Sequence, residues 1–264
     1  MGTKKQIVTG TIKENIEISP NLFIMKIEET KICKEAKPGQ FVNIKLTDSG
    51  SDPLLRIPLG IYNCEKNGLS LMYKVVGEGT TILSKKKKNE TINILGPIGN
   101  GFNIREKTKN SHAILVAGGC GFPPLSFLAN ELKKKRIKTT FLMGASGKDH
   151  ISCCLPLAGK ETDVYISTDD GSIGKKGTAV DLLKEILANK KNNGTETIIY
   201  ACGPGKMLEN VSKTAKAHNI QTQISVEEYM ACGIGACKGC AIKTKQGIKL
   251  VCKDGPVFNA EDIY

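Results

Sequence analysis

The sequence predicts a multidomain β + α/β protein: an antiparallel barrel over residues 1–106, a doubly wound parallel-sheet domain over 107–220, and a small cysteine-rich segment over 221–264. Three observations predict it. Short runs of alternating apolar and polar residues fill the first hundred positions. From Ala113 onward the rhythm changes to continuous apolar strands separated by helix-length stretches. Four of the ten cysteines then crowd into the last 33 residues, a stretch too short to bury a core of its own, so that something other than packing is expected to hold it together.

The barrel strands are expected at Gln6–Ile12, Leu22–Glu28, Gln40–Leu46, Leu54–Tyr62, Leu69–Val76 and Thr91–Leu95. Lys37-Pro38-Gly39 and Asn67-Gly68 serve as turn signals between them. Many short strands without long helices between them suggest a small closed antiparallel sheet. In the second segment the run Ala113-Ile114-Leu115-Val116-Ala117 reads as a strand buried on both faces. A helix over Pro124–Lys135 follows, then strands at Thr139–Met143 and Val164–Ser167, a helix at Ala179–Ala188, a strand at Thr197–Ala201, a helix at Lys206–His218 and a strand at Gln221–Val226. Such alternation implies parallel strands joined by crossover helices.

The composition is that of a soluble globular chain, and no apolar run approaches the roughly 18 residues of a membrane span. Met1 to Gly10 are basic without an apolar core, so no signal peptide is expected and the chain is expected to work in the cytoplasm, where thiols stay reduced. The net charge of +12 could suit a nucleic-acid protein, but the lysines are scattered. The one dense run, Lys85 to Lys88, has no interleaved aromatics and reads as a solvated loop or helix end. No nucleic-acid partner is expected, although the charge can attract phosphate-bearing cofactors or an acidic partner surface.

In a reducing compartment, clustered cysteines point to metal or redox chemistry before disulfides. The tail reads Cys232-Gly-Ile-Gly-Ala-Cys237-Lys-Gly-Cys240, followed by Cys252. This C-x4-C-x2-C spacing with a later fourth cysteine is the plant-type pattern for a [2Fe–2S] cluster. A tight loop supplies three thiolates and a following strand or turn the fourth, while Gly233, Gly235 and Gly239 let backbone amides approach the cluster. A structural zinc site is the alternative, but zinc favours paired C-x2-C knuckles and only one such pair exists.

Three glycine-bearing loops follow strands of the second segment: Ala117-Gly118-Gly119-Cys120-Gly121-Phe122-Pro123-Pro124, Thr168-Asp169-Asp170-Gly171-Ser172, and Cys202-Gly203-Pro204-Gly205. Each alone is as readily a packing turn as a ligand loop, and none is the G-x-G-x-x-G fingerprint. In a parallel sheet all three emerge at one carboxyl edge, where a dinucleotide would bind. The histidines His112, His150 and His218 sit in no motif and read as structural or surface residues; Cys202 has no histidine partner for nucleophilic work.

With these motifs in place, the chain resembles the ferredoxin–NADP reductase-like flavoproteins. Within them it is similar to the electron-transfer subunits of B-type dihydroorotate dehydrogenases. The stretch Glu227-Glu228-Tyr229-Met230-Ala231-Cys232 through Cys240, and the ending Val251-Cys252-Lys253-Asp254-Gly255-Pro256-Val257-Phe258, carry the likeness. The resemblance implies an FAD-binding barrel, an NAD(P)-binding α/β domain and a [2Fe–2S] segment. FAD contacts are implied at Arg56, Ile57, Pro58, Leu59 and Gly60, at Met72, Tyr73 and Lys74, and at Gly79 and Thr80 of a phosphate loop. Nucleotide contacts are implied at Gly118, Gly119, Gly121 and Pro123, at Thr168, Asp169 and Asp170, and at Cys202, Gly203 and Pro204. The cluster ligands are Cys232, Cys237, Cys240 and Cys252.

The sequence departs from the family in four places. Ile57 stands where the family has an arginine, with Arg56 one residue earlier. Gly60 replaces a serine, Lys74 stands where arginine is common, and Cys120 interrupts the glycine run. The resemblance implies hydride transfer from NAD(H), the co-substrate, to FAD and one-electron relay through the cluster, with no side-chain general base. It implies an FMN-containing catalytic partner that oxidises dihydroorotate, an assembly of two of each chain, and a role in de novo pyrimidine (UMP) biosynthesis. The small FAD/[2Fe–2S] subunit of an NAD(P)H–ferredoxin transhydrogenase or sulfide dehydrogenase shares the same motifs, and a redox-sensing regulator is a further alternative. The choice of NADH or NADPH turns on a cation near the ribose 2′ position, for which Lys148 and Lys175 are candidates.

Overall fold

The computed structural model describes residues 5–47, 52–66, 68–104, 111–151, 162–189 and 195–264. The expected boundary at 106/107, Asn67, Arg105, Cys153 and Cys154 lie outside the described residues, as does the side chain of His150.

The first unit is a closed six-stranded barrel. Its strands are β1 (Gln6–Ser19), β2 (Leu22–Glu28), β3 (Phe41–Lys45), β4 (Ile57–Glu65), β5 (Gly68–Lys74) and β6 (Thr91–Ile98), in the spatial order β1-β2-β5-β4-β3-β6. Every neighbouring pair that is recorded in register runs antiparallel, and closure leaves no free strand edge. Inward side chains form the barrel core of Ile12, Met25, Ile27, Ile44, Leu69 and Leu71, all essentially inaccessible.

Strand β1 runs seven residues past its expected end. Irregularities in register between Ile12 and Glu14 and between Glu17 and Ser19 let its polar second half stay paired with β2. Two short helices, α1 (Lys31–Glu35) and α2 (Glu78–Ser84), were not expected. The buried carboxylate of Glu29 accepts from the amides of Lys31 (2.6 Å) and Ile32 (2.9 Å), which satisfies the start of α1. The lysine run Lys85–Lys88 follows the end of α2, and Lys86 pairs with Glu90.

The second unit is a seven-stranded sheet of β7 (Ser111–Gly118), β8 (Lys138–Ala145), β9 (Thr162–Thr168), β10 (Lys175–Lys176), β11 (Glu196–Cys202), β12 (Gln221–Ser225) and β15 (Val257–Asn259), in the order β10-β9-β8-β7-β11-β12-β15. All pairs are parallel except β12 with β15. Helix α3 (Phe122–Lys134) covers one face; α4 (Ala179–Ala188) and α5 (Gly205–Ala217) cover the other. Thr178 and Asp181 form a capping box at the start of α4, worth about 1 kcal/mol. The strand order reverses between β7 and β11, which makes their carboxyl ends the switch point of the sheet.

The segment expected from residue 221 begins later in structural terms. Gln221–Ser225 is a sheet strand whose partners run from Ile198 to Cys202, because its buried Thr222, Gln223 and Ile224 fit only between β11 and the returning tail. The tail then forms an irregular cysteine loop, a hairpin of β13 (Ala241–Thr244) and β14 (Gly247–Leu250), α6 (Val251–Asp254), β15 and α7 (Ala260–Ile263). It does pack, on a borrowed core: Cys240, Val251 and Cys252 bury against Phe41 and Ile98 of the barrel. No helix among the described residues is long and apolar enough to cross a membrane.

Candidate functional site

The barrel and the sheet face each other across a cleft of about 400 Å³. Leu22 of β2 and Met72, Tyr73 and Lys74 of β5 form one wall. The other wall is the carboxyl edge of the sheet: Gly118, Gly119, Cys120 and Pro123, then Gly144–Ser146, Asp169, Thr178, Pro204 and Met207. The cleft therefore gathers the Met72–Lys74 run and residues from all three glycine-bearing loops, as expected of loops that share one edge of a parallel sheet.

The glycine run divides into two roles. A Cβ on Gly121 would lie 1.9 Å from the carbonyl oxygen of Cys202, so Gly121 exists to let the turn pack on β11. Gly119 has φ +51 and open space around its Cβ position, so its backbone is presented to the cleft. Sequence alone could not separate packing from ligand approach here, and the structure finds both within three residues.

Not every expected nucleotide residue lines the cleft. Cys202 and Gly203 lie behind Gly118 and Gly121. Thr168 is buried and its hydroxyl donates to the Ile173 carbonyl (2.9 Å), while Asp170 Oδ1 accepts from the Ser172 amide (2.9 Å). Hydrogen bonds from Ser172 hold the exposed Asp170 carboxyl below its usual range. These two residues shape the turn after β9. Lys175 is paired with Glu185 at 2.6 Å. His112 sits at the amino end of β7, away from the cleft, where its ring bonds to Thr140 Oγ1 (2.8 Å), and His218 caps α5.

Of the expected FAD residues, Met72, Tyr73 and Lys74 line the cleft; Arg56, Ile57, Pro58, Leu59, Gly60, Gly79 and Thr80 do not. Tyr73 stacks on Phe23 at 5.6 Å and donates to Asn15 Oδ1 (2.8 Å). Burial, against the pull of that hydrogen bond, raises its hydroxyl to about 12. Arg56 turns toward the barrel strands: Nη1 donates to the carbonyls of Asn43 and Asn93 (3.3 Å each), and Nη2 to Asn93 Oδ1. Ile57–Gly60 pair with β3, and a Cβ on Gly60 would stand 3.7 Å from the Pro124 ring at the start of α3, ordinary contact with room for a larger side chain. Thr80 accepts from the amides of Val76 (2.9 Å) and Gly77 (3.2 Å) in the first turn of α2.

Lys74 and Cys120 line the cleft from the barrel and the sheet domain, and Glu227, at the start of the tail, acts on Cys120 through its charge. Partial desolvation, then the charge of Glu227, raises the Cys120 thiol against the opposing pull of Lys74. Burial likewise raises Cys202. Both thiols stay protonated at neutral pH.

The cysteine loop follows Glu227 in the chain and lies against the barrel. Gly233 (φ +65) and Gly235 (φ +86) bend it so that its amides face the sulfurs. Cys232 Sγ accepts from Ile234 and Cys237, Cys237 Sγ from Gly239, and Cys240 Sγ from Cys252, all at 3.4 Å. Burial opposes ionisation of Cys232, yet amides of Cys237, Ile234 and Ala236 outweigh it and bring the thiol down to about 6. Burial and the adjacent Cys240 sulfur push Cys252 up to about 12. The sulfurs thus fall into two pairs, Cys232 with Cys237 and Cys240 with Cys252. Among the described residues no three His, Cys, Asp or Glu side chains converge as a single ion would need. Two cysteine pairs fit a binuclear cluster, in which each iron takes two protein ligands.

The loop is anchored to the barrel by Asn43, whose Nδ2 donates to the Cys232 carbonyl (3.4 Å). The buried Asn43 Oδ1 has no partner among the described residues. Sequence reasoning missed Asn43, and also Ser146, Thr178 and Met207 of the cleft. The run Gly144-Ala145-Ser146 at the end of a buried strand was a usable signal; nothing local marks the others.

Comparison with known proteins agrees with this geometry. Residues 227–264 match the family model of the iron–sulfur cluster binding domain of dihydroorotate dehydrogenase B. The chain is 38% identical over 257 residues to the dihydroorotate dehydrogenase B (NAD(+)) electron transfer subunit of Fusobacterium nucleatum, covering 96% of each, and 38% identical to that of Desulforamulus reducens, covering 91% and 92%. It superposes on an NADH-dependent reduced ferredoxin–NADP oxidoreductase with a TM-score of 0.84 at 30% identity, covering 97% of this chain and 89% of the other. A ferredoxin–NADP+ reductase from Neisseria gonorrhoeae with bound FAD and NADP shares the fold, with a TM-score of 0.66 at 16% identity over 80% of this chain and 91% of the other.

Proposed function

The chain belongs to the family of dihydroorotate dehydrogenase B (NAD(+)) electron transfer subunits, and on that premise we propose that it carries electrons between NAD(H) and an FMN-containing dihydroorotate-oxidising partner in cytoplasmic pyrimidine biosynthesis. The observation that carries this reading is the cleft joining Met72–Lys74 of the barrel to the Gly118–Pro123 turn and Asp169, in a chain whose cysteine loop is tied to the same barrel through Asn43.

Met72, Tyr73 and Lys74 are the residues proposed to hold FAD, with Ile57–Gly60 supporting it from β4. Gly119 and the 168–170 and 202–204 turns are proposed to hold the nicotinamide nucleotide, and the four tail cysteines a [2Fe–2S] cluster. When bound, flavin and cluster supply the conversion between two-electron and one-electron chemistry. The protein's own part is positional. The apolar cleft wall excludes water, Lys74 offers a positive charge, and the backbone at Gly119 accommodates a phosphate-bearing ligand at a helix start. Neutral Cys120 and Cys202 add no competing charge. The partner is proposed to dock over the exposed Cys237 side of the loop, in an assembly of two of each chain.

An anaerobic absorption spectrum with iron and flavin quantification tests this. About two irons and one FAD per chain, bleached by NADH, support the reading; zinc without flavin overturns it. A second reading, the small subunit of an NADH-dependent ferredoxin–NADP oxidoreductase, is favoured by the 0.84 superposition. Reduction of the holoprotein by dihydroorotate only when the catalytic partner is added separates the two.

A further inference from the structure

A second cavity, of about 490 Å³, shares no lining residue with the cleft. It lies where α1 and β4 of the barrel meet α3 of the sheet domain. Cys33 of α1 and Cys64 of β4 both line it. Both are half-buried, and both pack against the barrel core. The two thiols are near enough to act on one another: the Cys33 side chain is the largest of the influences that raise the Cys64 thiol. Lys37 and Lys134 line the same cavity and are exposed to solvent, so it is open to small solutes, while Phe127 and Glu131 of α3 form another of its walls. Nothing in the electron-transfer reading uses either cysteine.

We propose that Cys33 and Cys64 are a peroxide-sensitive dithiol that closes to a reversible disulfide beneath the joint between the barrel and the sheet domain.

Two observations support it. Both thiols line one cavity and pack against one core, near enough to act on one another, which is the neighbourhood a disulfide requires. The roles of the two thiols also differ. The neighbouring Cys33 side chain, then burial and the charges of Glu29 and Glu131, raise the Cys64 thiol and keep it protonated, so the first attack on peroxide is assigned to Cys33.

The chemistry balances with hydrogen peroxide as oxidant. The Cys33 thiolate attacks one peroxide oxygen, the O–O bond breaks, and hydroxide leaves as water, giving a sulfenic acid on Cys33. The Cys64 sulfur then attacks the Cys33 sulfur, the S–O bond breaks, and the departing hydroxide takes the Cys64 proton as a second water. Two thiols lose two electrons and peroxide gains them. A small-molecule dithiol reverses the step by exchange.

The consequence is mechanical. Helix α3 sits on β4 through the Tyr62–Phe122 ring contact (6.2 Å) and the Asn130–Asn63 hydrogen bond (3.4 Å), and its amino end carries the glycine turn of the cleft. A bond from α1 to β4 therefore stiffens the barrel side of the joint that positions the nucleotide turn.

The test uses the full-length holoprotein. It is exposed to graded hydrogen peroxide, alkylated, digested without reductant and mapped by mass spectrometry. The expected result is a linked peptide pair containing Cys33 and Cys64, lighter by two hydrogen atoms, forming at doses that leave the visible absorbance intact and disappearing with dithiothreitol. The oxidised protein should also melt about 5 °C or more above the reduced one, and Cys64→Ser should trap a dimedone-reactive sulfenic acid on Cys33. Separate alkylation of both cysteines after peroxide, direct passage to sulfinic acid, or a linked pair that includes Cys120 instead would overturn the proposal.

Discussion

Replacing Gly121 with alanine isolates what the glycine turn is for. Its φ of −74 is ordinary, so the backbone conformation tolerates a side chain. The obstacle is contact. The new Cβ would stand 1.9 Å from the Cys202 oxygen and 2.2 Å from its carbonyl carbon, and relief needs at least about 1.1 Å of separation. Cys202 cannot yield easily. It is buried, at the end of β11, between paired β7 and β12. Overpacking against a fixed backbone falls at the upper end of the usual range, about 3 kcal/mol. Over a chain of this size that lowers the thermal midpoint by roughly 6–12 °C.

Gly119→Ala, two residues away, gives the control. Nothing lies within 4 Å of its Cβ position, so only the positive φ counts, at about 1 kcal/mol and roughly 2–4 °C. The assay is thermal unfolding of both holoprotein variants, followed by far-UV circular dichroism, together with NADH titration. Gly121→Ala should show the larger midpoint loss and weaker NADH binding. Equal midpoint losses, or a larger loss at Gly119, would refute the division of the turn into a packing glycine and an open one.

Three further outcomes are expected. Cys252→Ser should abolish the iron–sulfur absorbance and retain FAD, whereas Cys120→Ser should keep both, as read from iron and flavin content. Asn43→Ala removes the donor to the Cys232 carbonyl, about 1 kcal/mol, and should speed iron release to a chelator about five-fold. Tyr73 has its hydroxyl raised in the folded state, so the stability it contributes is full below pH 10 and falls as pH rises toward 12; urea midpoints should show that fall in the wild type and lose part of it in Tyr73→Phe.

What the sequence revealed follows from which forces act locally. Alternation along Thr91–Ile94 and the apolar run Ala113–Ala117 each report the surroundings of a single strand, and both strands stand where their patterns placed them. The cysteine spacing is likewise a local constraint, since three ligands come from one loop. Helix α1 escaped notice because its five residues have no periodicity; it is held by a buried Glu29 that no pattern distinguishes from a surface glutamate. The extension of β1 was hidden by its polar composition, which suits a strand facing solvent. In the site, glycine loops and the Met72–Lys74 run were visible, but their meeting across the cleft depends on how barrel and sheet dock. Met207 and Asn43 owe their roles to neighbours far away in sequence. The turn of Arg56 toward Asn43 and Asn93 is of the same kind: the charge was visible, its direction was not.

The borrowed core of the tail sets an order of events during synthesis. Phe41 and Ile98 leave the ribosome well before Val251 and Cys252. Until those later residues emerge, the barrel keeps an uncovered apolar spot, and β12 keeps an edge that β15 will later fill. The four cysteines come together only on a barrel and sheet that have already folded. Whatever delivers iron and sulfide therefore meets cysteines already seated on a formed barrel rather than an isolated peptide loop.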